Sequence, residues 1–581
     1  MGHKSKQKKK NREVREQENT LSTSTTTFAH KSKSKGNVLD LGAGNKFLKS
    51  DFTTDNIIIF LIIFFATFIL YSQAINHPFN FLDDNVHIYE NPHYDPVNFK
   101  NLLFYWTNPY FSLYIPLTYT LWGFEVLFTK MIFNPPYPST LFHINNIILH
   151  FLNTSLIFLI LKKITPNIKL QTVACFLGAL FFMIHPMQVE SVVWVAERRG
   201  LQCLFFALLG IYYLTHHYKE NSDLSWKRWF IFFIFVTLSM LSKPTGLITP
   251  IFAFIILMLF TPINLKAIGK LALRIVAVEI MVSPLMFAVV NIQLEFATSI
   301  VNTIWEKIYL IAYAFHFYFD KFFIPQDLSM IYNKHPSLIM DEMVFPTLTI
   351  IFLLVIITLL ALTVRYYKKH NRPFLNSTLY GNPIAFVLLG IMMFIAGLLP
   401  TSGITQTSYQ QISMVADRYI YFAMFGAAIT ITSLLYIASL RWRQIFLGAA
   451  SVWILVLAFL NFNYASIWKN NYVYASYIYE RNPDATPAIA YLFSVNSNER
   501  NTEKAHYYLR QLSRLTDRMW DPKNRLNIVK ALIYNKEYSE AERIVDVILK
   551  KNPVNELAIE LKAQIKRETA TFSNSPQTSS L

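Results

Sequence analysis

Cysteine is nearly missing from this chain: Cys175 and Cys203 are the only two in 581 residues, and both lie inside apolar runs. No disulfide framework is implied. There is also no glycine-rich loop to cradle phosphates, no Cys/His cluster at metal-ligand spacing and no nucleophile elbow, so a cytoplasmic reaction driven by a nucleotide has no support. Charge is sparse: 15% of residues are charged against 53% hydrophobic, and mean hydropathy is +0.30. This excludes a soluble multidomain protein of ordinary composition and predicts a polytopic membrane protein. The formal charge of +17 does not indicate nucleic-acid binding. Its Lys and Arg residues sit in a tail and in short loops between apolar runs, the pattern that orients membrane helices against an anionic leaflet.

Residues 1–50 are polar and open with Lys4, Lys6, Lys8, Lys9, Lys10 and Arg12. They are too hydrophilic to bury surface against the entropy of ordering, and read as a disordered cytoplasmic tail. No small-residue cleavage site follows the first apolar run, so Ile57 to Ile75 reads as a retained span. With the basic tail inside, the far end of that span, including Asp83 and Asp84, lies outside. Residues 76–140, rich in Tyr, Trp, Phe, Asn and Pro, form the first external loop, with helices lying at the interface. Beyond it, each strongly basic connection falls on one side (Lys162–Lys163–Lys169, Lys219–Arg228, Lys266–Arg274, Arg365–Arg372, Arg441–Arg443). That parity predicts about eleven spans over residues 51–461, a second large external loop at 291–345 and an external C-terminus; several runs are shorter than the roughly 20 residues of a full crossing.

After Asn461 the composition is that of a soluble domain. Glu503-Lys504-Ala505 and Glu540-Ala541 place small residues at similar helix-face positions 36 residues apart, with Tyr538 before the second. That spacing is similar to a tetratricopeptide (TPR) repeat, whose small residues let two helices approach. Residues 462–568 are thus expected to form a small TPR-like helical domain about two units long, and residues 569–581 a polar tail.

Ionisable groups central in a span cost about 2.5–3.5 kcal/mol each on insertion scales, so charges that recur on one side call for a reason. The external side carries Asp83-Asp84, then His185 and Glu190 with Glu197, Arg198 and Arg199, then Lys243-Pro244, Tyr332 to His335, and Asp417-Arg418-Tyr419. Two adjacent carboxylates raise one another's pKa, which suits a general base or a metal ligand; they also suit a helix cap. Arg198, Lys243 and Arg418 can hold a phosphate, Arg through a planar fork and Lys as a point charge, or can snorkel to headgroups.

At these residues the chain resembles a known family. Asp83-Asp84 with Ile88 and Asn91-Pro92, Tyr114-Ile115-Pro116-Leu117-Thr118, Phe142-His143 through His150 to Asn153, His185-Pro186 through Glu190 and Trp194 to Arg198, Ser242-Lys243-Pro244, Phe323 to Leu328, and Ala416-Asp417-Arg418-Tyr419 stand in the order seen in the transmembrane-and-TPR-containing proteins. These are relatives of the protein O-mannosyltransferases in the GT-C superfamily. The resemblance implies an all-α GT-C bundle with external interfacial helices and a TPR domain on the same side. It implies transfer of a sugar, mannose, from a polyprenyl- or dolichyl-phosphate donor to a Ser/Thr or other hydroxyl. Asp83 or Asp84 would be the base, and Arg198, Lys243 and Arg418 the donor-phosphate site. His185, Glu190, Tyr114 and Asp417 are further site candidates, and a divalent metal is compatible with the acidic pair. The TPR part would present the acceptor protein. Ile115 and Gln188 depart from the family pattern, which places Arg or His at the first position and His at the second.

Two other classes use the same charges: a transporter or flippase for a lipid-linked solute, and a non-catalytic assembly factor acting through the TPR part. Charges collected at one end of the spans favour surface chemistry over transport. The short repeat region and retained basic tail point to a bacterial inner membrane with a periplasmic active site and C-terminus, the alternative being the lumenal face of the endoplasmic reticulum.

Overall fold

A computed structural model describes residues 53–134, 136–166, 170–220, 224–296, 303–342, 347–369, 378–404, 408–439, 443–515 and 522–573. The chain divides into Met1–Ile57 and Ile58–Leu581, and everything below concerns the second unit except the first turn of the first helix. The expected basic tail at 1–50 lies outside the described residues.

Among the described residues the secondary structure is helical with no strand. Among the described residues, five helices are long and apolar enough to cross a membrane: Thr54–Asn76, Thr140–Ile164, Leu265–Ile292, Pro383–Thr401 and Gly448–Ile467. This is an integral membrane protein by length and composition of its helices. A helix stands at each of the eleven places where a span was expected, but the others are short or charged. Trp226–Ser242 has 17 residues, Arg198–Glu220 opens on two arginines, and Gln171–Ile184 is broken from Pro186–Val193 by a 55° bend. Counting that bent pair as one span gives six.

The bend follows from Pro186. A residue before proline is pushed out of the helical region, and His185 adopts φ −62°, ψ 130°. Its Nδ1 then accepts from the Met187 N–H at 3.3 Å, capping the next turn. A second break at Trp194 (φ −78°, ψ 121°) separates Val189–Val193 from the turn Val195–Glu197 and the helix that begins at Arg198. The polar face of Thr140–Ile164 holds these breaks in place. Asn146 Nδ2 donates to the Val192 and Trp194 carbonyls at 3.2 and 3.0 Å, Asn153 Nδ2 to the Leu201 carbonyl at 2.9 Å, and His150 bridges the Tyr421 hydroxyl and the Met183 carbonyl. Buried amides and imidazoles thereby satisfy carbonyls that the broken helices free.

Elsewhere close packing depends on small residues. A Cβ on Gly426 would lie 2.4 Å from the Phe394 nitrogen and 2.6 Å from the Gly390 oxygen, so the helices Pro383–Leu398 and Met424–Ser439 cross nearly backbone to backbone. In the first loop, Phe99–Thr107 exposes Phe99, Leu103 and Trp106 on one stripe. The second loop carries Ile304–Phe323, started by a capping box of Thr303 and Glu306.

The last span helix runs to Ile467, a few residues into the region expected as soluble. Two helical hairpins follow among the described residues, Thr486–Asn498 with Thr502–Arg514 and Pro522–Tyr534 with Tyr538–Lys551, flanked by the helices Asn471–Arg481 and Glu556–Ser573. Ala505 and Ala541 are both buried, where neighbouring helices approach. Leu509, Leu512, Val529, Leu532, Val545 and Leu561 belong to the continuous core of these hairpins. The final helix extends to Ser573, so the first residues of the expected tail are helical.

Candidate active site

The acidic pair divides into two different groups. Asp84 is buried, and its carboxylate accepts from the Asn80 N–H at 2.7 Å and from the Ala196 N–H at 2.8 Å, across 112 residues of sequence. Burial pushes its pKa up to about 7, against the pull of those two hydrogen bonds. Asp84 therefore pins the first loop to the turn 195–197. Asp83 keeps 40% of its side chain exposed and lies 4.0 Å from Arg199 Nη2. Of the two, Asp83 is the carboxylate that a substrate can reach.

Arg199 opens a chain of ion pairs. Its Nε donates to Glu197 Oε2 at 3.0 Å, and the other Glu197 oxygen pairs with the Lys243 ammonium. Arg418 Nη1 lies 2.5 Å from Glu190 Oε1, and its backbone N–H donates to Glu190 Oε2 at 3.0 Å. The Trp194 ring has Arg199 at 5.7 Å and Arg418 at 5.4 Å, and Tyr409 lies 4.1 Å from the Arg418 guanidinium. Burial pushes the Glu197 carboxyl up, but the charges of Lys243, Arg199 and Arg418 more than offset it and hold the group below its ordinary value. Lys243 is lowered, by burial first and by the repulsion of Arg199 and Arg418, against the attraction of Glu197. The three cations thus act on one another and share a small volume. Their balance with Asp83, Glu190 and Glu197 fits a site that receives an anion: positive groups held in place by carboxylates and stacked on aromatic rings.

The other predicted residues take different places. Arg198 points away from this cluster. Its Nε donates to Asn146 Oδ1 at 2.9 Å, its Nη2 to the Phe142 carbonyl at 2.7 Å, and it pairs with Glu125. A buried guanidinium committed in this way holds the turn rather than a ligand, and Arg199, one residue on and about 100° round the helix, takes the position beside Asp83. His185 is buried, with Nε2 at 3.1 Å from the Phe322 carbonyl and its ring stacked on Phe322. Asp417 is buried behind Arg418 and accepts from the Tyr332 hydroxyl at 2.6 Å; burial, then the charge of Glu190, keeps its pKa well above the carboxylate range. Tyr114 donates to the Trp106 carbonyl within the first loop. Of the two departures from the family pattern, Ile115 lies in the buried aromatic core of that loop, and Gln188 donates to the Phe182 carbonyl at 3.1 Å. Among the described residues no three His, Cys, Asp or Glu side chains are grouped to hold a metal.

One residue escaped the sequence reading. His87 sits one turn after Asp83, its N–H donating to the Asp83 carbonyl at 3.1 Å, and its Nδ1 is 2.9 Å from the Tyr119 hydroxyl. Burial lowers its pKa to about 4, with Asp83 pulling the other way, so the ring is neutral beside the exposed carboxylate. The signal was its spacing of four from Asp83, the length of the one turn that the His87 N–H to Asp83 carbonyl bond closes.

No family model and no curated protein matches this chain. Among solved structures it is similar to the oligosaccharyltransferase of Archaeoglobus fulgidus, solved tethered by a disulfide to an acceptor peptide containing the NVT sequon. The identity is 13% and the TM-score 0.34, over 75% of this chain and 58% of that one.

Proposed function

We propose that this protein is a membrane glycosyltransferase of the GT-C type, which moves a sugar, mannose by family resemblance, from a polyprenyl- or dolichyl-phosphate donor to a Ser/Thr or other hydroxyl on the external face. The observation that carries this reading is the half-exposed Asp83 carboxylate, 4.0 Å from Arg199, at the edge of the Arg199–Lys243–Arg418 cluster. In the reaction the acceptor oxygen attacks C1 of the sugar while its proton passes to Asp83. The bond from C1 to the phosphate oxygen breaks, and the electron pair leaves with the lipid phosphate. Arg199 and Lys243 face that developing charge, with Arg418 behind them, so that donors are in place before the charge forms. Attack opposite the leaving phosphate inverts C1. On this reading the C-terminal hairpins present the acceptor protein, and the site and C-terminus lie in the bacterial periplasm.

Membranes holding the protein would be given radiolabelled sugar on polyprenyl phosphate. Asp83→Asn is expected to lower transfer by about 10²–10⁴-fold, the usual contribution of a positioned base. Arg199→Ala is expected to lower it about 10–100-fold, as hydrogen bonds to a charged group contribute roughly 1.5–3 kcal/mol. Undiminished transfer by Asp83→Asn would remove the assigned base.

One observation favours transport instead. Glu279 stands midway along Leu265–Ile292 with no ion-pair or hydrogen-bond partner among the described residues. Unpaired acids at that depth mark pathways. Loss of solute flux in Glu279→Gln, with no sugar transfer by the unaltered protein, would decide for that reading.

A further inference from the structure

The first external loop is tied to the helical hairpins at the other end of the chain. Asn471 Nδ2 donates to the Phe79 carbonyl at 2.9 Å, across 392 residues of sequence. Two residues on, the Phe81 ring lies 4.3 Å, centroid to centroid, from the ring of Tyr491 at an interplanar angle of 30°. Tyr491 stands on Thr486–Asn498, which buries Ala488, Ile489 and Leu492, so its backbone is fixed by the packing of that helix. The second external loop meets the same domain, with Arg481 at 3.3 Å from Asp327 and the Tyr477 hydroxyl donating to the Leu328 carbonyl at 3.0 Å.

Asp83 lies between two anchors. Behind it, Asp84 is pinned to Asn80 and Ala196; ahead of it, Phe81 rests on Tyr491. Leu82, the residue beside it, donates its N–H to Asn80 Oδ1 at 3.0 Å, a bond within the same turn. The direction of the Asp83 side chain is therefore set at one end by the membrane domain and at the other by an aromatic pair of the kind worth about 0.5–1.5 kcal/mol beyond its buried area.

We infer that Tyr491 is a positioning residue, which by stacking on Phe81 fixes the turn that presents the Asp83 carboxylate, and so makes the C-terminal helical domain a working part of the site. The inference rests on the reading of Asp83 as the base. Tyr491 touches neither substrate nor reacting atoms and acts only through Phe81. A base displaced by 1 Å can cost as much as about 100-fold in rate, so a loop freed at one anchor costs rate without costing affinity for the lipid-linked donor.

The test pairs amide hydrogen exchange over residues 79–90 with sugar transfer, on the full-length protein in detergent. Tyr491→Ala is expected to speed exchange there and to lower kcat about 10–100-fold with KM for the donor unchanged. Tyr491→Phe keeps the ring and is expected to behave as the unaltered protein. Phe81→Leu should reproduce the Tyr491→Ala effect from the other side, and the double variant should be no worse than the poorer single one, as for two residues acting through one contact. Exchange over residues 522–573 reports whether the hairpins stay folded; where Tyr491→Ala loosens them, Phe81→Leu, which leaves that domain intact, carries the test. Unchanged exchange over 79–90 in both variants, or an equal loss in Tyr491→Phe, overturns the inference. Faster exchange with undiminished transfer leaves the clamp standing and overturns the role of Asp83 as base.

Discussion

At the scale of single residues, Asp84 ties pH to stability. Its pKa of about 7 in the folded chain lies above the ordinary value of 3.8, because burial disfavours the charged form. Folding is therefore favoured by holding the proton: that contribution is complete below the ordinary value and is lost as pH rises through about 7. The unfolding midpoint in detergent is expected to fall between about pH 4 and 7 in the unaltered protein and to fall less in Asp84→Asn. Curves that stay parallel would show that Asp84 does not titrate in this range. The same variant leaves one buried N–H without a full acceptor, a cost of about 1–3 kcal/mol at low pH. The sequence showed the two carboxylates but not their division, because the partner that buries Asp84 is the Ala196 N–H, 112 residues away. Arg198 and Arg199 were equally indistinguishable on paper. Which one faces Asp83 depends on Asn146 and Phe142 of another helix drawing Arg198 inward.

Among helices, position along the chain was legible from apolar runs, since burial in lipid or protein leaves the same mark on composition. Length and breakage were not. The bend at His185–Pro186 and the break at Trp194 look in sequence like one long apolar run with charges at its end, yet they turn Glu190 and Glu197 toward Arg418 and Lys243. Close approach of helices was only partly visible, because a glycine that packs and a glycine that does not are the same letter. Gly426 and Gly269 separate the two cases. A Cβ on Gly426 meets the backbone of Phe394 and Gly390, whereas nothing lies within 4 Å of one on Gly269. Gly426→Ala is expected to lower stability by about 1–3 kcal/mol, the range for overpacking. Gly269→Ala, in the interior of a helix, is expected to be neutral or to stabilise by up to about 1 kcal/mol. Equal unfolding midpoints for the two variants would contradict the backbone-to-backbone crossing.

The whole chain carries one arrangement that neither composition nor periodicity revealed, namely that its C-terminal hairpins rest on the loop bearing Asp83. Soluble composition after Asn461 led to the expectation of a separate domain, but contacts between Phe81 and Tyr491 or Asn471 and Phe79 leave no periodic trace. Those contacts require the first loop and the hairpins to share one side of the membrane, while the basic-loop parity puts the connection at Lys266 on the other. Single cysteines placed at exposed positions test both statements together. Cys175 and Cys203 are buried and unpaired, so their replacement by Ser gives a background without thiols. On it, Glu90→Cys and Tyr534→Cys are expected to react with a membrane-impermeant maleimide added to one face, and Lys266→Cys only after the membrane is opened; all three positions are exposed. Reaction of Lys266→Cys together with Glu90→Cys in sealed membranes would overturn the parity. Reaction of Glu90→Cys and Tyr534→Cys from opposite faces would separate the hairpins from the loop, and with it remove the physical basis for Tyr491 as a support of Asp83.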